Sequence, residues 1–144
     1  MKEKYLGVDF GDARTGLALS EPTGLLAVGA GCIRCGNLRK TAEQTAAFAK
    51  EQGVAKIIIG KPLNMNGTEG PKAQECREFA AQLQEKCGLE VVLWDEPAST
   101  VTANRILSDA GKKRDKQRSR VDAVAAQVIL QSYLDFWNMQ KNRG

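Results

Sequence analysis

Three short apolar runs occupy the first 33 residues, joined by turns too brief to carry a crossover, and after them helix-length and strand-length patterns alternate to the end of the chain. Residues 4 to 10, Thr15 to Ser20 and Leu25 to Ile33 read as strands, separated by Asp12-Ala13-Arg14 and by Pro22-Thr23-Gly24. Connections this short join antiparallel neighbours, so the three form a meander. Val54 to Ile59 and Leu89 to Trp94 read as two further buried strands, each preceded by a helical pattern, which makes them parallel additions to the same sheet.

The helix signals have defined ends. Asn37 is placed to cap a helix that runs to about Gln52 with Ala42, Thr45, Ala46 and Ala49 inward, and Gly53 stops it. Pro71 suits the first turn of a second helix reaching Cys87, where Gly88 ends it. Ser99 and Thr100 offer caps for a helix to Ala110, and Ser119 for the last one. That last helix carries Val121, Val124, Ala125, Val128, Ile129, Tyr133, Phe136 and Trp137 at helical spacing, a broad face for the sheet. The expected fold class is α/β: a five-stranded mixed sheet, three strands antiparallel and then parallel, flanked by helices. A length of 144 residues with 42% hydrophobic content suits one domain over 1–144.

Composition removes most catalytic chemistries, because the chain contains no histidine. Ser-His-Asp triads, Cys-His pairs and histidine metal sites are excluded. Carboxylates, lysines, thiols, or water activated by a hard cation on carboxylate oxygens remain. The four cysteines read as free thiols of a cytoplasmic protein, although Cys32-Ile33-Arg34-Cys35 has the spacing of half a zinc site or a redox pair. No signal peptide and no membrane span is expected.

Three acids draw attention. Asp9 ends the first apolar run, Asp95-Glu96 ends the fifth, and Asp122 lies at the start of the last helical pattern. A carboxylate in an apolar strand is costly to desolvate without a partner, which argues that Asp9 serves more than an Asx-turn. Pattern alone leaves Asp95 and Glu96 equal. Asp122 follows Ser119 at the spacing of a capping box, so a purely structural role is open to it. Net charge is +4, and Lys112 to Arg120 holds six basic residues against one acid, a density suited to phosphate contacts beside Asp122.

The order of elements resembles the ribonuclease H-like fold, and four ordered motifs sharpen the resemblance to one family. Gly7-Val8-Asp9-Phe10-Gly11 with Arg14-Thr15-Gly16, Ile59-Gly60-Lys61-Pro62-Leu63-Asn64 with Asn66-Gly67-Thr68-Glu69-Gly70, Asp95-Glu96, and Asp122-Ala123-Val124-Ala125-Ala126 with Leu130-Gln131-Ser132-Tyr133-Leu134 look like the YqgF family, also called RuvX. Its members are described as Holliday junction resolvases and as nucleases that process the 5' end of pre-16S ribosomal RNA.

The resemblance implies a phosphodiester hydrolase in which Asp9, Glu96 and Asp122 are catalytic and hold divalent Mg²⁺ or Mn²⁺. Arg14 and Lys61 match basic positions near the site, and Arg105, Lys112, Lys113 and Arg114 complete the expected nucleic-acid contacts. The implied partners are precursor rRNA, with ribosomal precursor particles, or branched DNA; monomer and homodimer stay open.

One departure stands out: the family usually follows Asp-Glu with an arginine and a bulky residue, where this chain has Pro97 and Ala98. A proline cannot make a bidentate phosphate contact. Two alternatives therefore accompany rRNA processing: junction resolution, and a nucleic-acid-binding module with weakened catalysis. Asp9-Phe10-Gly11 with Arg14-Thr15-Gly16 also resembles the first phosphate loop of actin-like kinases, which close two such domains around ATP. The glycine-rich stretch Lys61 to Gly70 lacks P-loop order and reads as a rim loop offering backbone amides to phosphates, or as a tight turn.

Overall fold

The computed structural model describes residues 3–97 and 115–143, with side chains described for 3–95 and 123–139. The elements are β1 (Tyr5–Asp9), β2 (Arg14–Ser20), β3 (Ala27–Arg34), α1 (Leu38–Gln52), β4 (Lys56–Leu63), α2 (Pro71–Cys87), β5 (Glu90–Pro97) and α3 (Asp115–Arg143). The strands form one five-stranded sheet in the order β3-β2-β1-β4-β5. The β1–β2 and β2–β3 pairs are antiparallel, and β4 runs parallel to both β1 and β5. The expected meander followed by parallel strands is therefore the observed topology.

Period-two alternation divides the sheet between two apolar layers. Leu6, Val8, Phe10, Ile57 and Ile59 face α1 and α2, where Ala42, Ala46, Ala49, Phe79 and Leu83 complete the core. Phe10 stacks on Phe79 with centroids 4.5 Å apart. Ala18 and Ile58 face α3, against Ala126, Ile129, Leu130, Tyr133 and Leu134. Ile57, Ile58 and Ile59 are all fully buried. At about 1.5–3 kcal/mol for each such side chain, β4 is the apolar spine between the layers.

The caps of α1 and α2 follow the sequence. The Asn37 side chain accepts from the Lys40 amide at 3.0 Å, and Gly53, at φ +67°, closes α1. Pro71 occupies the first turn of α2, and Gly88, at φ +68°, ends it.

Several expectations are corrected. β4 continues to Leu63 and β5 to Pro97, so Gly60, Lys61 and Pro62 are strand residues, not loop. Pro62 is tolerated because the last β4 partner of β1 is Ile59, and beyond it β4 pairs only with β5. Pro97 sits at the end of an edge strand, where a missing amide costs little. The final helix begins at Asp115, which places Ser119 inside it and not at its cap.

The buried stripe of α3 is Ala123, Ala125, Ala126, Ile129, Leu130, Tyr133 and Leu134, while Val124, Phe136 and Trp137 are more than 40% exposed. The helix is rotated relative to the expected face, with Ala123, Ala126 and Leu130 seated over glycines of the sheet that present no side chain. A Cβ on Gly7 would lie 2.6 Å from Leu130 Cβ, and one on Gly29 would lie 3.2 Å from Ala123 Cβ. The helix expected over 99–110 lies outside the described residues. No described helix is long and apolar enough to cross a membrane.

Candidate active site

The site is built at one end of the sheet by the antiparallel course of α3 over β1. Tyr133 meets the ring of Tyr5 at 6.1 Å, and Leu130 and Ala126 cover Gly7. The N-terminal half of α3 thus travels toward the C-terminal ends of β1, β4 and β5. Ligand sites of open parallel sheets gather at this rim.

Asp9 is the last residue of β1 and is buried, with only 8% of its surface exposed. It has the strand parity of Gly7 and so belongs to the α3 face. Its partner across β2 is Gly16, which adds no side chain beside the carboxylate. On the β4 side the residue after Ile59 is Gly60. Gly16 adds no side chain on the β2 side, the place over Gly60 is taken by Ile129, and carboxylate oxygen is the donor that hard cations prefer.

Glu96 is paired with Pro62 and has the strand parity of Val92 and Trp94, both of which pack on the α3 side. Asp95 belongs to the opposite face, where its Oδ1 lies 3.1 Å from Lys61 Nζ. The ambiguity between Asp95 and Glu96 left by the sequence thus acquires a geometric distinction. Asp122 lies in α3 one turn before Ala126. The side chains of Glu96 and Asp122 are outside the described residues, as are Arg105, Lys112, Lys113 and Arg114 altogether. Among the described residues, no three Cys, Asp or Glu side chains converge.

The structure separates the two basic residues expected near the site. Arg14 opens β2 with the parity of Gly16 and so shares the face of Asp9. Lys61 is buried on the α2 side, its ammonium 2.7 Å from Glu69 Oε2 and 3.1 Å from Asp95. Glu69 in turn accepts from both Arg77 Nε, at 2.7 Å, and a terminal nitrogen of Arg77. Arg77 first and Lys61 second hold the Glu69 carboxyl at a pKa of about 2. Glu69, with help from Asp95, raises that of Lys61. Two cations and two anions make this a neutral, internally satisfied network.

The glycine-rich loop is likewise closed on itself. The Asn64 amide donates to Thr68 O at 2.8 Å, the Gly67 amide to Asn64 O at 2.8 Å, and the Thr68 amide to Asn66 Oδ1 at 3.1 Å. The tight-turn reading holds for these three amides, which are already engaged. Sequence reading also missed Lys72, whose ammonium lies 3.7 Å from Asp12 and 4.8 Å from the centre of the Phe10 ring, at the mouth of the β1–β2 turn. None of the four cysteines is joined in a disulfide.

The chain resembles known proteins over nearly its whole length. A family model described as RuvX, Holliday junction resolvase, matches residues 3–136. A protein of Syntrophomonas wolfei named "Putative pre-16S rRNA nuclease" is 40% identical over 139 residues, covering 96% of this chain and 99% of its own. A relative of the same name from Geobacillus kaustophilus is 46% identical over 134 residues, covering 92% and 97%. Among solved structures, Thermus thermophilus RuvC in complex with a Holliday junction substrate aligns over 96% of this chain and 97% of its own, with a TM-score of 0.59 at 13% identity. The fowlpox virus Holliday junction resolvase aligns over 92% and 98%, with a TM-score of 0.52 at 12% identity. These last two likenesses are of fold.

Proposed function

The chain belongs to the RuvX family, and from that premise we propose that it is a metal-dependent nuclease that hydrolyses phosphodiester bonds, acting on the 5' end of pre-16S rRNA. The observation that carries this reading is Asp9: a buried carboxylate at the C-terminal end of the central strand, between two glycines, in a ribonuclease H-like sheet. With no histidine in the chain, carboxylate oxygens are the donors a hydrolytic metal would find.

Asp9, Glu96 and Asp122 would hold Mg²⁺ or Mn²⁺. A bound ion of this kind supplies Lewis acidity and a nucleophile at neutral pH. Choosing Glu96 over Asp95 is supported by strand parity and by the ion pair that engages Asp95 with Lys61. The chain's own residues do the positioning. Asp9 anchors the site to a strand buried on both faces, and Arg14, on the same face, is placed to contact the substrate backbone. Lys61, committed to Glu69 and Asp95, acts through the Glu69–Arg77 network that fastens the loop at 64–70 to α2. The remaining basic contacts come from Arg105, Lys112, Lys113 and Arg114. We take 1–144 as one nuclease domain working on precursor ribosomal particles in the cytoplasm.

The test is cleavage of a 5'-labelled pre-16S leader and a four-way DNA junction side by side, with Mg²⁺, Mn²⁺ or chelator. Metal-dependent cutting of the leader is the expected result. Preferential cutting of the junction would assign the chain to resolution instead, and binding without cutting under any metal would leave a binding module.

A further inference from the structure

Arg14 and Arg34 face each other directly across the β2–β3 pair. Like charges in opposed positions of an antiparallel pair repel, and both side chains have further contacts within the chain that offset this. Their common face is that of Asp9: Asp9 pairs with Gly16, Gly16 with Cys32, and the two arginines lie one pleat further toward the rim. Ordinary sheet spacings put their Cα atoms roughly 8 and 12 Å from that of Asp9.

The register that brings them together depends on a bulge. Leu17 pairs with Gly31 but Ala18 with Gly29, so Ala30 is an extra residue in β3, and Gly31 takes φ +98°. If the ladder ran on from the Ala18–Gly29 pair with Ala30 taken into regular pairing, Arg14 would oppose Ile33, and Arg34 would be turned to the other face of the sheet. With the bulge, Ile33 joins the core on the α1 side and the exposed Arg34 comes to the α3 face. Bulges near active sites commonly re-aim a side chain in this way.

We propose that Arg34 is a second phosphate-binding arginine, brought to the face of Asp9 by the bulge at Ala30, and that with Arg14 it clamps the backbone of the nucleic-acid strand whose scissile bond lies over the carboxylates. The inference rests on the nuclease reading for its substrate. A phosphate between two guanidinium groups converts their mutual repulsion into charge-assisted, bidentate hydrogen bonds. Both side chains also have contacts within the chain, so nucleic acid exchanges with those contacts. The contact is with phosphate and carries no base preference.

The experiment measures binding of a fluorescent single-stranded leader RNA, and of DNA of the same sequence, as a function of salt. It uses the full chain carrying Asp9→Asn, so that Mg²⁺ can be present without turnover. Adding Arg34→Ala should weaken binding of both polymers about tenfold near 0.1 M salt and lower the slope of log K against log salt by about 0.7, one phosphate contact to a single strand. Arg34→Lys should keep the slope and lose about threefold in affinity, since it keeps the charge without the fork. Unchanged affinity and slope in a folded Arg34→Ala protein would overturn the proposal, and so would a loss confined to one polymer. Cleavage by the wild-type chain is scored separately: its absence would remove the nuclease reading, while the binding slopes would still judge the clamp.

Discussion

Gly60 lies beneath Ile129 so closely that a Cβ added to the glycine would fall 2.4 Å from Ile129 Cδ1 and 2.8 Å from its Cγ1. This contact sets how near α3 comes to the sheet at the level of Asp9. It explains a glycine within a strand, where it would otherwise only weaken pairing. Gly60→Ala should destabilise the protein by about 1–3 kcal/mol through overpacking. Ile129→Ala removes the crowding atoms, so the double variant should be less destabilised than the sum of the two single changes. Urea unfolding of the four proteins measures the coupling, and strict additivity would mean that the glycine is not there for the helix.

The acid limb of stability should carry the signature of Glu69. Its folded pKa of about 2 lies below the ordinary 4.5, because Arg77 and then Lys61 favour the charged form. A depressed carboxyl contributes stability that is complete above its unfolded pKa and is lost as pH falls through the folded one. Wild type should therefore exceed Glu69→Gln in stability at pH 6, with the gap narrowing below 4.5 and closing near 2. Thermal melts across that range read it directly, and a gap independent of pH would contradict the charged network.

Divalent metal should stabilise the folded chain without any substrate. At a hundredfold excess over its dissociation constant, a ligand of the native state adds about 2.7 kcal/mol, or roughly 5 to 10 °C in Tm at this size. Mg²⁺ or Mn²⁺ should raise the Tm of wild type and leave that of Asp9→Asn nearly unmoved. Equal shifts in both would place the metal elsewhere.

The antiparallel meander, the parallel later strands and the caps of α1 and α2 were legible because short turns, crossover helices and cap residues specify them. Asn37, Gly53, Pro71 and Gly88 each mark an end that the backbone requires. Strand ends were not legible where a breaker had another purpose: Gly60 reads as a stop but makes room for Ile129, and Pro62 is harmless only because β1 has already ended. The face of α3 was misjudged for the same reason, since Val124 fits the helical period as well as Ala126 does and only the glycines of the sheet decide between them. Asp9 stood out from the sequence because an acid in an apolar strand is costly to bury. Arg34 did not, because its face depends on one extra residue in β3, for which Gly29-Ala30-Gly31 was the only sign.

The most direct measurement is metal-dependent cleavage of the labelled pre-16S leader by wild type and by Asp9→Asn, at protein concentrations where binding shows both to be saturated with RNA. The account predicts cutting by wild type in Mg²⁺ or Mn²⁺, none in chelator, and a loss of at least about a thousandfold in Asp9→Asn with RNA binding kept. Cleavage by Asp9→Asn at the wild-type rate would contradict it, because the buried carboxylate at the end of β1 would then have no part in the chemistry.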